Sequence, residues 1–271
     1  MFVILGSPRS GTTLLATTLD QSPHITVPHE TDFIVPAAFL YSRIREERLG
    51  KQLILATILN SEMRYSVQES LSPGEIEAAI ERAPYELPAI LSSIYDAVAQ
   101  KTGASIAGDR SPNDVFHYLI FEKTGLFSSS IKFIHIVRDI RDVMLSLSQM
   151  PWKPERVERY YARMWNDFTL STHRLLEDAP QRYRLVRYED LVCRPETVVR
   201  ALTDFLDVPY HAAMLDHTRR GIRYRQASYH TNLSNPINAT RMNAWRTELP
   251  AAIRELCETQ AAEALKCFGY I

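Results

Sequence analysis

The chain opens with a short apolar segment that runs into a loop bounded by two glycines: Phe2-Val3-Ile4-Leu5, then Gly6-Ser7-Pro8-Arg9-Ser10-Gly11, then Thr12-Thr13-Leu14-Leu15. The apolar segment predicts a buried strand, and the run that follows the second glycine predicts a helix. Two glycines that bracket four residues between a strand and a helix are typical of a phosphate-binding loop. The backbone N–H groups of such a loop, together with the helix N-terminus, attract an anion. The sequence therefore predicts an anion site at the start of the chain.

The residue after the second glycine indicates which phosphate ligand fits this loop. A nucleoside triphosphatase has a lysine there that reaches the β- and γ-phosphates, whereas this chain has Thr12. Arg9 supplies a permanent positive charge inside the loop instead. A ligand with a 5′-phosphate and no triphosphate tail fits better than ATP. The alternative is a tight strand-to-helix turn that binds nothing.

Composition narrows the class of protein. The chain has 271 residues, of which 45% are hydrophobic and 23% charged, and a formal net charge of −1. We expect a single domain over residues 1–271, and the near-neutral charge disfavours a nucleic-acid partner. Because the first predicted strand begins at residue 2, we expect no signal peptide. We also expect no membrane span, since no stretch approaches about 20 apolar residues. Three scattered cysteines predict reduced thiols in a cytoplasmic protein and no metal site.

Strand and helix patterns alternate along the rest of the chain. We expect strands at 2–5, 104–108, 131–137 and 183–186, and helices at 12–21, from 72 onwards, and at 87–102, 140–149, 155–177, 196–206 and 250–266. This order predicts an α/β fold of the P-loop type, with three layers and a central, mainly parallel sheet flanked by helices. Ligands of such folds bind at the carboxyl ends of the strands.

A second candidate anion site follows the strongest predicted strand. Arg138 comes directly after residues 131–137, and Ser146 lies just over two helical turns further on, on the same helix face. Together they could bind a second phosphate. The alternative is that Arg138-Asp139-Ile140-Arg141-Asp142 begins a charged helix with ordinary surface ion pairs. Two anion sites at neighbouring strand ends suit a nucleotide that carries phosphates on both its 5′ and 3′ positions.

These motifs resemble those of the sulfotransferases that use 3′-phosphoadenosine 5′-phosphosulfate (PAPS). Residues 8–15 look like the 5′-phosphosulfate loop of that family, and Val137-Arg138-Asp139 with Ser146 looks like its 3′-phosphate motif. Two further segments are similar: Gly108-Asp109-Arg110-Ser111-Pro112 and Arg187-Tyr188-Glu189-Asp190-Leu191. The chain is most similar to the branch with tyrosylprotein sulfotransferases and many bacterial enzymes, in which Glu-Thr follows the first helix. Here that segment is His29-Glu30-Thr31.

The resemblance implies roles for the residues around the reacting atoms. Glu30 is the implied general base, with His29 and His230 as other candidates. Arg9 and Arg110, with the loop amides, would stabilise the charge that develops on the leaving phosphate, and no metal would be needed. Arg110 stands where relatives commonly have lysine, so we expect it to act electrostatically and not as an acid.

The resemblance also implies which residues bind the nucleotide. Beside Arg9, the 5′ side would be held by Ser10, Gly11, Thr12 and Thr13, and the 3′-phosphate by Arg138 and Ser146. Tyr188 would contact the adenine or else be a core residue. Residues 225–238 would close over the nucleotide and Arg241 would reach the 3′-phosphate, although Ala244 precedes Trp245 where the family has a basic residue.

The sequence says less about the acceptor than about the nucleotide. A helical insert around 33–103, rich in aromatic residues, would cap the acceptor pocket or simply form core. Asp32 stands where tyrosylprotein enzymes have a basic residue, which disfavours acidic peptides. The partner is therefore a hydroxyl of a small molecule, sugar, lipid or peptide, and the oligomeric state stays open. The alternative functions are a P-loop kinase and a nucleotide-binding protein without catalysis.

Overall fold

A five-stranded sheet organises the chain. The computed structural model describes residues 1–28, 30–61, 67–151, 153, 155–216 and 235–271. The strands are β1 (Phe2–Leu5), β2 (Ile25–Thr26), β3 (Ile106–Arg110), β4 (Lys132–Val137) and β5 (Tyr183–Arg187). Their order is β2-β3-β1-β4-β5, and every neighbouring pair is parallel. Ile4 pairs with both Arg110 and Ile134, so the carboxyl ends of the three central strands share one edge.

Helices cover both faces of this sheet. They are α1 (Thr12–Leu19), α2 (Ile34–Arg43), α3 (Glu47–Leu59), α4 (Pro73–Arg82), α5 (Leu87–Thr102), α6 (Tyr118–Lys123), α7 (Ile140–Ser148), α8 (Tyr161–Leu176), α9 (Tyr188–Cys193), α10 (Pro195–Phe205), α11 (Trp245–Glu248), α12 (Ala251–Gln260) and α13 (Ala262–Cys267). Short 3₁₀ helices occupy Val67–Glu69, Asp114–His117, Val157–Arg159 and Ala212–Leu215. Within the described ranges, no helix combines the length and apolarity needed to cross a membrane.

The alternation of side chains along β1 divides the core. Val3 and Leu5 belong to a cluster that includes residues of α2, α3, α4 and α5. Phe2 and Ile4 point to the other face and join residues of α1, α9 and α10. A third cluster includes residues of α7, α8, α11, α12 and α13. Burial of both faces explains why β1 is apolar throughout. The predicted α/β class with a parallel central sheet is confirmed.

Several element bounds differ from those expected. β2 is only two residues long, too short to produce a sequence pattern, and β3 ends at Arg110 instead of Gly108. The helix expected over 155–177 begins at Tyr161, after a 3₁₀ turn. The helix expected over 250–266 is two helices, because the Asn166 side chain of α8 accepts the N–H of Ala264 and caps the start of α13.

The insert between β2 and β3 is helical, as expected, and consists of α2, α3, α4 and α5. A capping box starts α4, because Ser72 and Glu75 bond to each other's backbone N–H. Phe33 and Tyr95 are buried and stacked at 6.4 Å, whereas Phe39 is exposed. At least part of the aromatic content of the insert is therefore core.

We expect Gly108→Ala to destabilise the protein by about 1–3 kcal/mol. A Cβ at this position would lie 2.2 Å from Cζ of Phe2, whose ring is fully buried and has no room to withdraw. Gly74→Ala is the matched control, because a Cβ there meets nothing within 4 Å. It should be neutral or stabilising by up to about 1 kcal/mol. Urea unfolding of the two variants measures the difference, and equal stabilities would contradict the packing argument.

Candidate active site

The loop between β1 and α1 packs against the end of β4 and the start of α9. A Cβ on Gly6 would be 2.8 Å from the carbonyl oxygen of Ile136. Gly11 has a φ of +96°, which favours glycine, and a Cβ there would be 2.6 Å from the ring of Tyr188. Both glycines of the motif are therefore required by close packing and, at Gly11, by backbone conformation.

Arg9 holds the loop to the helix that carries the second candidate anion site. Its backbone is left-handed, with φ 70°, an uncommon conformation for a residue with a side chain. Arg9 Nε donates a hydrogen bond to Oγ of Ser146 at 2.9 Å, and the Arg9 carbonyl accepts one from Nη1 of Arg138 at 3.1 Å. The residues expected for the 5′ and the 3′ phosphates therefore lie in direct contact.

Two features of this loop fit an anionic group. The N-cap residue of α1 is Gly11, and no side chain in the described part of the chain caps this helix. The N–H groups of its first turn can therefore donate hydrogen bonds to an external anion. Arg138 is buried, and its Nε has no hydrogen-bond partner among the residues that the structure describes. A buried charged donor without a partner is costly, and a phosphate oxygen would satisfy it.

Arg110 joins the loop to the expected base. It is the last residue of β3 and is only 1% exposed. Its Nη1 donates to Oγ1 of Thr13 at 3.1 Å and to Oε2 of Glu30 at 3.2 Å. The Glu30 side chain is 30% exposed, so its carboxylate is bound on one side and reachable from solvent on the other.

The residues on either side of Arg110 face the opposite way and bind the residue after Glu30. Asp109 is fully buried and its Oδ1 accepts hydrogen bonds from the hydroxyls of Thr31 and Tyr95. Ser111 Oγ donates to the carbonyl oxygen of Thr31. Burial raises the pKa of the Asp109 carboxyl, and the hydrogen bonds from Thr31 and Tyr95 oppose that rise.

Tyr188 and the C-terminal segment surround Arg138. The Arg138 guanidinium lies 4.2 Å from the centre of the Tyr188 ring. Its Nη2 donates to the carbonyl oxygen of Arg241 at 2.9 Å. The segment after Arg241 is fixed by Asp142, which accepts the N–H groups of Asn243 at 2.7 Å and of Trp245 at 3.0 Å. The C-terminal part of the chain therefore completes the wall of the second candidate anion site.

The charged residues at the start of α7 are buried, so the interpretation of this segment as ordinary surface ion pairs is wrong. Arg141 is 4% exposed and binds Asp139 at 2.7 Å and Glu258 at 3.0 Å. Its guanidinium also lies 3.9 Å from the centre of the Trp245 ring. These contacts hold α11 and α12 against α7.

The structure brings together most of the predicted site residues: the loop 9–13, Glu30, Arg110, Arg138, Ser146 and Tyr188. Arg241 contributes its carbonyl group, while its guanidinium pairs with Glu248 at 3.3 Å. His29, His230 and residues 225–234 of the expected closing loop lie outside the described residues. Among the described residues, no group of histidine, cysteine and acidic side chains could hold a metal ion.

A family model described as "Sulfotransferase family" matches residues 2–212 of the chain. The chain belongs to the sulfotransferase family. It is 25% identical over 283 residues to a protein-tyrosine sulfotransferase of Drosophila melanogaster, covering 100% of this chain and 51% of that one. It is 27% identical over 168 residues to carbohydrate sulfotransferase 4 of Mus musculus, covering 53% of this chain and 43% of that one. The chain thus spans about half the length of these curated relatives.

Solved sulfotransferase structures have the same fold. The sulfotransferase domain from the Synechococcus PCC 7002 olefin synthase has a TM-score of 0.62 at 23% identity and covers 100% of this chain and 94% of that one. The sulfotransferase domain from the curacin biosynthetic pathway has a TM-score of 0.58 at 23% identity, with 97% and 96% covered. The predicted family and fold are confirmed. PAPS is the general donor of this family, and it carries phosphate groups on both its 5′ and 3′ positions, as expected of the nucleotide.

The sequence did not reveal the buried network of Asp109, Thr31 and Tyr95 in this sulfotransferase. The predicted strand ended at Gly108, so the sequence pattern placed Asp109 beyond the strand and did not indicate that its carboxylate is buried. Its partners could not be identified, because Thr31 lies in a loop and Tyr95 in a helix of the insert.

We expect Asp114→Asn to stabilise the protein increasingly as the pH rises. Burial, followed by the nearby carboxylates of Asp109, Glu30 and Asp32, raises the pKa of Asp114 well above its ordinary value. A raised pKa means that the folded state binds the proton more tightly than the unfolded state, so the native protein loses stability as the pH rises from about 4 through the raised pKa. Asparagine does not titrate and avoids this loss. Thermal unfolding between acidic and mildly alkaline pH measures the difference, and an equal gain at every pH would show that Asp114 is not the titrating group.

Proposed function

We propose that this sulfotransferase moves the sulfuryl group of PAPS to the hydroxyl of an acceptor, with Glu30 as the general base. The observation that supports this proposal most directly is the position of Arg110. One of its nitrogen atoms lies within hydrogen-bond distance of both Thr13 in the phosphate loop and the Glu30 carboxylate. The candidate donor site and the candidate base are therefore neighbours.

The residues that would hold the donor are those of the two joined anion sites. The loop amides, with Arg9, Ser10, Gly11, Thr12 and Thr13, would bind the 5′ side, and Arg138 with Ser146 the 3′-phosphate. The buried Nε of Arg138 supports the second role, because it is a charged donor that the described part of the protein leaves without a partner. The contact of the Tyr188 ring with Arg138 suits a residue that holds the guanidinium in place. When bound, the donor would supply the sulfuryl group that the acceptor hydroxyl attacks.

Two permanent charges and one carboxylate carry the proposed chemistry. A hydroxyl is a weak nucleophile at neutral pH, so Glu30 would accept its proton as the new bond forms. Negative charge develops meanwhile on the leaving phosphate, where Arg9 and Arg110 would stabilise it. Both arginines stay protonated at working pH, so their contribution is electrostatic. Arg110 would also orient Glu30 through their 3.2 Å ion pair.

The surroundings of Glu30 bear on the acceptor. Asp32 is exposed two residues further along the chain, and the carboxyl of Asp114 is close enough to interact with Glu30. The exposed Asp32 carboxylate would repel an acidic peptide. We therefore propose an acceptor hydroxyl on a small molecule, sugar, lipid or peptide without strong negative charge. Incubation of the protein with ³⁵S-labelled PAPS and pools of alcohols, phenols, sugars, lipids and neutral or acidic tyrosine peptides tests this proposal.

The nucleotide 3′-phosphoadenosine 5′-phosphate should bind roughly 10- to 150-fold more tightly than AMP. AMP leaves the guanidinium of Arg138 without its anion, and loss of one charged, buried hydrogen bond costs about 1.5–3 kcal/mol. Calorimetric titration measures both affinities. Equal dissociation constants would refute the assignment of Arg138 and Ser146 to the 3′-phosphate.

Arg138→Ala separates a phosphate-binding role from a merely structural one. If Arg138 binds the 3′-phosphate, its loss removes most of the preference for the doubly phosphorylated nucleotide. If Arg138 only supports the loop, its loss weakens the binding of both nucleotides equally. Arg241→Ala is the companion variant. It keeps the carbonyl oxygen that accepts from Arg138, so any change in preference reports the Arg241 guanidinium itself.

Glu30→Gln should lower turnover by about 10²–10⁴ and leave nucleotide affinity little changed. Glutamine keeps the size of the side chain and an oxygen that can accept from Arg110, but it cannot take up the proton. Asp32→Asn is the matched control, because it removes an exposed carboxylate two residues away and should preserve turnover. Near-native turnover of Glu30→Gln would transfer the role of base to His29 or His230.

A further inference from the structure

We propose that Asp109 is a positioning residue that holds Glu30 in place through Thr31; the inference rests on the proposed role of Glu30 as base. Three consecutive residues, the last two of β3 and Ser111 directly after it, bind two consecutive residues of the loop before α2. Arg110 binds the Glu30 side chain on one face of the strand. Asp109 and Ser111, which face the other way, bind the hydroxyl and the carbonyl group of Thr31.

The segment around Glu30 has no support from secondary structure. The described residues 27–28 and 30–33 belong to no helix or strand. The backbone position of Glu30 therefore depends on side-chain contacts. Glu30 and Thr31 make four hydrogen bonds to residues 109–111. Because a carboxylate must be held within a fraction of an ångström of the atom that it serves, the anchoring of Thr31 bears on the chemistry.

The anchor itself is rigid. Asp109 is 0% exposed, so it cannot exchange its partners for water. Its Oδ1 also accepts from Tyr95, which is fully buried in α5 and stacked on Phe33. The α2–α5 insert is therefore connected to Glu30 by a continuous chain of contacts from Tyr95 through Asp109 to Thr31.

Two hydroxyl groups on the same carboxylate oxygen provide a matched pair of variants. Thr31→Val and Tyr95→Phe each delete one donor to Asp109 Oδ1, so both should lower Tm by similar amounts. Only the first releases the segment that carries Glu30. Thr31→Val should therefore lower kcat about 10- to 100-fold with KM for PAPS little changed, whereas Tyr95→Phe should leave kcat close to that of the unmodified protein. Thr31→Ser restores the hydroxyl and should recover most of the activity.

Amide hydrogen exchange gives a readout that does not depend on the reaction. Peptides that contain Glu30 and Thr31 should exchange faster in Thr31→Val than in Tyr95→Phe, because only the former opens this segment locally. Ser111→Ala removes the bond to the Thr31 carbonyl and should act in the same direction, which keeps the test decisive if Thr31→Val does not fold.

Equal effects of Thr31→Val and Tyr95→Phe on kcat and on exchange would overturn the proposal, since Asp109 would then act only on stability. If exchange is faster in Thr31→Val but turnover of Glu30→Gln is undiminished, Asp109 positions the segment and another residue is the base. That outcome contradicts the proposed role of Glu30 and leaves the positioning role of Asp109 intact.

Discussion

The site depends on a guanidinium that is buried at the end of a strand. A buried charge is tolerated only with partners that replace water, and the described partners of Arg110 come from two separate segments, Thr13 at the start of α1 and Glu30 in the loop after β2. Parallel pairing of β3 with both β1 and β2 brings these segments to one edge. The order of the strands therefore leads directly to the proximity of phosphate loop and carboxylate, and Arg110 makes that proximity a fixed contact.

A second buried arginine, Arg138, connects separate segments in the other half of the site, around the second candidate anion site. Arg138 leaves β4 and reaches the carbonyl groups of Arg9 and Arg241, so it joins the loop to the C-terminal segment. Asp142 then fixes that segment through two backbone N–H groups. Truncating Arg138 would remove both a candidate phosphate ligand and a structural link, which is why nucleotide preference says more about its role than affinity alone.

The parts of the site that could be predicted from sequence are those formed by neighbouring residues. Gly6 and Gly11 indicated the loop, and Arg138 with Ser146 indicated the second candidate anion site, because strand ends and helix spacing are local properties. The contacts of Thr31 with Asp109 and of Trp245 with Asp142 span 78 and 103 positions. Such pairs depend on the order of the strands and on which helix covers which face of the sheet. The hydrophobic periodicity of the sequence indicates neither of these. The charges of Arg141 and Asp142 were open to interpretation as surface pairs for the same reason.

The two halves of the site are supported by different parts of the fold. The candidate nucleotide side is built from the loop after β1, from β4 and α7, and from the segment around Trp245. The side of Glu30 is built from the end of β3 and from Thr31, which Asp109 and Ser111 bind. Arg110 donates hydrogen bonds to both Thr13 and Glu30. A local release of Thr31 would therefore displace the Glu30 carboxylate and leave the phosphate loop in place, because Arg138 and Ser146 hold that loop. Separate contacts thus support the candidate nucleotide site and Glu30, although Arg110 connects the two.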